Sequence, residues 1–89
     1  MERLRKQLEE WLREQFPQAE ILLDPAQRGR KIGGVLAWEG FAGLEPIDRQ
    51  ELLWRSLRTH FNREDQLLIS SLITLTPAEY AGYREPQMA

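Results

Sequence analysis

The one histidine of this chain, His60, is the side chain best suited to moving a proton or holding a metal. An imidazole titrates near neutral pH and ligates metals through either ring nitrogen. It stands at the end of a helical stretch, where the helix dipole favours a cation. No second histidine and no cysteine accompanies it. A metal site would have to recruit Glu64 and Asp65, so a solvated helix-end residue is the favoured reading. Ser56, Ser70 and Ser71 lack the sequence context of a nucleophile elbow. Asp24, Glu39, Glu45 and Asp48 could pair in three dimensions, but acids at loop ends more often act as caps and turn residues. The glycines from Gly29 to Gly34 match neither a phosphate loop nor a dinucleotide fingerprint. No catalytic residue, metal or cofactor is expected, and the absence of cysteine excludes disulfides and thiolate ligation.

Two further groups could recognise a partner. Arg28, Arg30 and Lys31 form a local basic tip on a chain of net charge −2, and Arg49, Arg55 and Arg58 could extend it. Contacts to phosphate from these side chains would give weak, strongly salt-dependent binding. The bland alternative is a solubilising loop and a solvated helix face. Trp38 and Phe41 flank a glycine-bearing loop, and they read equally as core residues or as exposed aromatic anchors. Trp11 and Trp54 read as core.

The elements that position these residues follow from periodicity. At 89 residues the chain is one domain, expected over 1–85 with a frayed tail at 86–89. A chain of this size buries roughly 60–65% of its unfolded surface and gains about 4–13 kcal/mol of stability. Leu4, Leu8, Trp11, Leu12 and Phe16 share one face of a first helix, Glu2 to Phe16, which Pro17 stops. Glu2–Lys6 and Glu9–Arg13 are spaced as stabilising ion pairs along it. Ala19 to Leu23 reads as a short strand, Pro25 to Lys31 as an exposed loop, and Ile32 to Trp38 as a second strand. Together they form an antiparallel hairpin, with Gly33-Gly34 marking a bulge or a close backbone approach.

The stretch from Trp38 to Phe61 is the centre of the chain. It reads as a strand end, a loop and an amphipathic helix with Leu53, Trp54, Leu57 and Phe61 on one stripe. Asp48 and Glu51 have the spacing of a capping box. Asn62 to Asp65 reads as a polar turn and Gln66 to Leu75 as the strongest strand. Leu67, Ile69, Ser71, Ile73 and Leu75 take one face; Leu68, Ser70, Leu72 and Thr74 take the other, which could dock a partner. Thr76-Pro77-Ala78-Glu79 starts a last helix that runs to about Tyr83. A right-handed crossover makes the second and third strands parallel. The expected fold is α+β: a two-layer αββαβα arrangement, with a three-stranded mixed sheet and both long helices on one face.

In this order the chain resembles the BolA-like family, which is built on a class II KH-like fold. The resemblance is carried by Phe41-Ala42-Gly43 followed by Arg49-Gln50, by the Leu53–Leu57 spacing, and by Leu75-Thr76-Pro77-Ala78-Glu79-Tyr80. Family members typically use a histidine near the start of the third strand, with a monothiol glutaredoxin, to hold a [2Fe–2S] cluster. Here that position is Leu68. Arg28 to Lys31 replace the family's loop ligand, and Gln50 stands where relatives often have histidine. The resemblance therefore implies a scaffold without the usual cluster ligands, and a glutaredoxin partnership of the usual kind is not expected.

The expected function is that of a small non-enzymatic domain, an adaptor or regulator, that binds another protein. Its contact surface is expected to comprise Arg28, Arg30, Lys31, Trp38, Phe41 and Arg49. The alternative is a nucleic-acid-binding regulator on a KH-like scaffold, although no GxxG loop lies between two helices to clamp a strand. The absence of a long apolar run or a signal peptide makes cytoplasmic location the expectation. A monomer or weak dimer is expected, with the open sheet face or the terminal strand edge as candidate contacts.

Overall fold

A computed structural model describes residues 2–84 of the chain. The order is α1 (Glu2–Gln15), β1 (Glu20–Ala26), β2 (Lys31–Ala37), a short 3-10 turn (Glu39–Phe41), α2 (Pro46–His60), α3 (Arg63–Leu67), β3 (Ile69–Leu75) and α4 (Pro77–Arg84). The three strands form one sheet in the order β1-β2-β3, with β1 antiparallel and β3 parallel to β2. The α+β class and the mixed sheet agree with the sequence expectation. The tail at 86–89 lies outside the described residues.

The first helix buries its predicted stripe: Leu4, Leu8, Trp11 and Leu12 face the sheet, and Phe16 follows them in. Arg13 donates to Glu9 at 2.8 Å, whereas Glu2 is bound by Arg5 rather than by Lys6. From α2, Leu53 and Leu57 are fully buried, and Phe61, just past its end, is nearly so. These side chains meet Ile32 and Leu36 of β2 and Ile69 and Leu72 of β3 in one core. Burying a large aliphatic or aromatic side chain is worth about 1.5–3 kcal/mol each, and this layer carries most of the fold.

Several expectations about element bounds and layers need correction. The loop expected at Pro25 to Lys31 is shorter: Pro25, Ala26 and Lys31 are strand, and residues 27–30 form the turn. Pro25 is tolerated because β1 is an edge strand, which Pro can occupy without breaking a ladder. The helix around Arg49 begins three residues earlier than the Asp48 capping box implied. Pro46 occupies the first turn, Glu45 precedes it without a side-chain cap, and Asp48 lies inside the helix. The polar turn Asn62 to Asp65 is the start of α3, where the Asn62 side chain accepts from the Asp65 N–H at 2.8 Å. The C-terminal helix also lies on the other side of the sheet. Tyr80 packs with Val35, Ala37 and Leu75, so α4 adds a partial third layer to the expected two.

Ile69 is buried as its alternation predicts, but from Leu72 onward the third strand presents the opposite face. Leu72 and Thr74 turn inward, while Ile73 is 39% exposed. The register explains this: Ile32 pairs with Ile69 but Gly34 with Leu72, so β3 carries one extra residue at Ser70–Ser71. A bulge shifts every later side chain to the other face. The glycine pair opposite serves a close approach, since a Cβ on Gly34 would overlap the Leu22 carbonyl oxygen. The fourth residue of the Thr76 box is as expected, with the Glu79 N–H donating to Thr76 Oγ1 and the Thr76 N–H to Glu79.

Candidate partner-binding surface

The two ends of β2 separate the expected contact residues. The hairpin turn at 27–30 lies at one end of the strand and Trp38 just past the other. Seven extended residues put about 20 Å between them. Arg28, Arg30 and Lys31 therefore do not form one surface with Trp38, Phe41 and Arg49.

At the far end, the expected anchors are structural. Phe41 has no exposed surface. Trp38 is half-buried, packs edge-on against Phe16 and Phe41 at centroid distances of 4.9 and 5.2 Å, and donates its indole N–H to the Pro17 carbonyl. This aromatic clasp ties the end of α1 to the 3-10 turn. Arg49 is a correction of the same kind, being only 7% exposed. Its guanidinium donates to the Leu44 and Thr74 carbonyls and to both oxygens of Glu79. The signal for this was present: Arg49, Leu53 and Leu57 recur every fourth residue, which puts Arg49 on the buried stripe.

Beside it, Gln50 donates to the Leu72 carbonyl at 2.7 Å and to Thr74 Oγ1, and accepts from the Trp54 indole. Leu75 accepts from the Trp38 N–H in the β2 ladder, so by strand alternation the Leu72 and Thr74 carbonyls point off the free edge of β3. Gln50 and Arg49 thus cover that edge with side chains, a common defence against strand addition.

His60 is exposed and stacks on Trp11 at 5.4 Å. It borders a cleft of about 400 Å³ with Glu10, Glu14 and Asp65. Among the described residues no group of His, Asp and Glu has the arrangement of a metal site. None of Ser56, Ser70 and Ser71 is hydrogen-bonded to His60 through its side chain, and the polar groups buried at the β3 edge are satisfied by structural partners. No helix among the described residues is long and apolar enough to cross a membrane.

The hairpin end is different. Arg28 and Arg30 are exposed and Lys31 is half-exposed, and none of them forms an ion pair among the described residues. Gln27, Arg28 and Gly29 all have left-handed backbone, with φ of 51°, 59° and 83°. The Gly29 N–H closes the turn on the Ala26 carbonyl. Against this tip stands a pair of leucines that the sequence placed in a strand. Leu67 is 64% and Leu68 37% exposed, and the Leu68 carbonyl accepts from the Ile32 N–H at 2.9 Å. They are held outward because α3 buries none of its residues and is anchored instead by Gln66, which donates to the Phe61 carbonyl at 2.7 Å. The nearby acids Glu64 and Asp65 occupy the first turn of α3, where the free helical N–H groups favour them.

No protein-family model, no curated protein and no solved structure matches this chain.

Proposed function

We propose that this chain is a small non-enzymatic adaptor or regulatory domain, BolA-like in type, that binds another protein through the hairpin end of its sheet. The observation that carries the reading is the pairing of unneutralised cations (Arg28, Arg30, Lys31) with exposed leucines (Leu67, Leu68) at one end of a small acidic domain. Interfaces combine apolar anchors with a charged rim in this way, and the charge guides encounter and orientation. The element order and the parallel β2–β3 crossover accord with the BolA-like, class II KH-like resemblance. In this reading Leu68 stands in the family's cluster-ligand position, so docking replaces ligation there.

The second reading, a nucleic-acid-binding regulator, draws on the same cations. An electrophoretic shift titration with single-stranded RNA and DNA at two salt concentrations separates the two. The proposal expects no complex even at low salt, and a complex that weakens steeply with salt would favour the alternative. Titration with a monothiol glutaredoxin under cluster-reconstituting conditions is expected to give no coloured complex that contains this chain; a stable coloured complex of the two would return the chain to cluster binding.

A further inference from the structure

Between the start of α1 and the base of the hairpin lies a cleft of about 410 Å³. Its floor is formed by Leu23, Pro25 and Ile32, and its rim by Glu2, Arg5, Gly29 and Lys31. Arg5 is already neutralised by Glu2 and Glu9, which leaves Lys31 and the adjoining Arg28 and Arg30 as the free charges. Building on the protein-binding reading, we infer that this cleft takes a short acidic segment of the partner. One aliphatic side chain of that segment seats on Leu23, Pro25 and Ile32, and flanking carboxylates meet Lys31, Arg30 and Arg28.

Three features select this occupant. The first is charge: Lys31 on the rim and the exposed Arg28 and Arg30 of the adjoining turn have no ion-pair partner among the described residues, and an apolar floor with these cations to one side complements a segment that pairs acids with an aliphatic anchor. The second is the backbone. Ile32 gives its N–H to Leu68, so Pro25, which pairs with Ile32, turns its nitrogen to the free edge of β1. A residue without an N–H interrupts that edge, and the partner is held by side chains rather than as a fourth strand. The third is the lining itself. Single-stranded nucleic acid is gripped by aromatic rings on which bases stack, and the rings of Trp11, Trp38 and Phe41 belong to the core instead. An anionic membrane calls for roughly four to eight clustered cations, more than this tip supplies.

The test is an amide-resolved NMR titration of the full chain at low salt. Four probes are used: a short Asp/Glu-rich peptide bearing leucines, the same peptide with alanine for leucine, a single-stranded oligonucleotide, and phosphatidylserine-containing vesicles. The leucine peptide is expected to shift the amides of Leu23, Gly29, Lys31 and Ile32. Replacing its leucines is expected to weaken binding by about tenfold or more. Arg30→Glu with Lys31→Glu, both at exposed or half-exposed positions, should weaken it by at least about tenfold. The inference is overturned if the shifts fall elsewhere, if the alanine peptide binds equally well, or if the oligonucleotide or vesicles bind more tightly. Its failure is separable from that of the broader reading. A protein partner that is lost on the double charge reversal but leaves the amides of Leu23 and Ile32 unshifted keeps the hairpin-end reading standing and removes the cleft.

Discussion

The guanidinium of Arg49 lies 2.7 Å from the Glu79 carboxylate and joins the first turn of α2 to the first turn of α4 across the end of β3. Arg49 is buried, whereas the Glu79 side chain is 47% exposed. The energetic weight therefore rests on the carbonyls of Leu44 and Thr74, which lose their donor if Arg49 is removed. Arg49→Met is expected to cost about 1–3 kcal/mol in urea unfolding. Glu79→Gln is expected to cost less, because the Glu79 side chain is half-exposed and its pairing is screened by water, while Arg49 keeps its two carbonyl acceptors.

The same pair gives a pH signature. The hydrogen bond from Arg49, and after it that from the Thr76 N–H, holds the Glu79 carboxyl below its ordinary value of 4.5. A group with a depressed folded value contributes stability that is fully present above the unfolded value and is lost as pH falls through the folded one. Wild-type stability is therefore expected to decline more steeply below pH 4.5 than that of Glu79→Gln, and to run parallel to it above. Urea midpoints measured across the acid range check this.

Gln50 guards the outer edge of β3 through the Leu72 carbonyl and Thr74 Oγ1. Gln50→Leu is expected to lower stability by about 1–2 kcal/mol. It also uncovers an edge that can pair with another copy. Analytical ultracentrifugation should show concentration-dependent self-association in the variant and less in the wild type.

At the hairpin tip, fold and function pull apart. A non-glycine residue in left-handed backbone costs roughly 1–2 kcal/mol, and Arg28 sits there at φ 59°. Arg28→Gly is expected to raise stability by about 1 kcal/mol while weakening partner binding. By contrast, Gly34→Ala is expected to cost about 3 kcal/mol, because its Cβ meets the Leu22 backbone rather than open space. Thermal and urea melts of the two variants measure both directions.

Much of the scaffold was legible in the sequence because it rests on periodicity. The α1 stripe, the Leu53–Leu57–Phe61 stripe and the Thr76–Glu79 box are local patterns whose packing partners agree with them, and the parallel crossover follows from the handedness of the connection. What was not legible depended on a single inserted residue or on a distant partner. The bulge at Ser70–Ser71 reverses the faces of β3 beyond Ile69, and no local pattern marks which residue of a strand is extra. Arg49 looked like a surface cation because its partners lie 25 and 30 residues away. Phe41 and Trp38 could not be sorted until Phe16 was seen to close over them. Leu67 and Leu68 were read as strand residues and emerged as exposed apolar positions because α3 intervenes.

The most direct measurement compares the proteins captured from a cell extract by the wild-type chain, by Arg30→Glu with Lys31→Glu, and by Arg55→Glu with Arg58→Glu on the outer face of α2. The account predicts partners retained by the wild type and by the helix variant and lost from the hairpin variant, with all three chains equally folded. Retention by the hairpin variant, or loss from the helix variant alone, would contradict it.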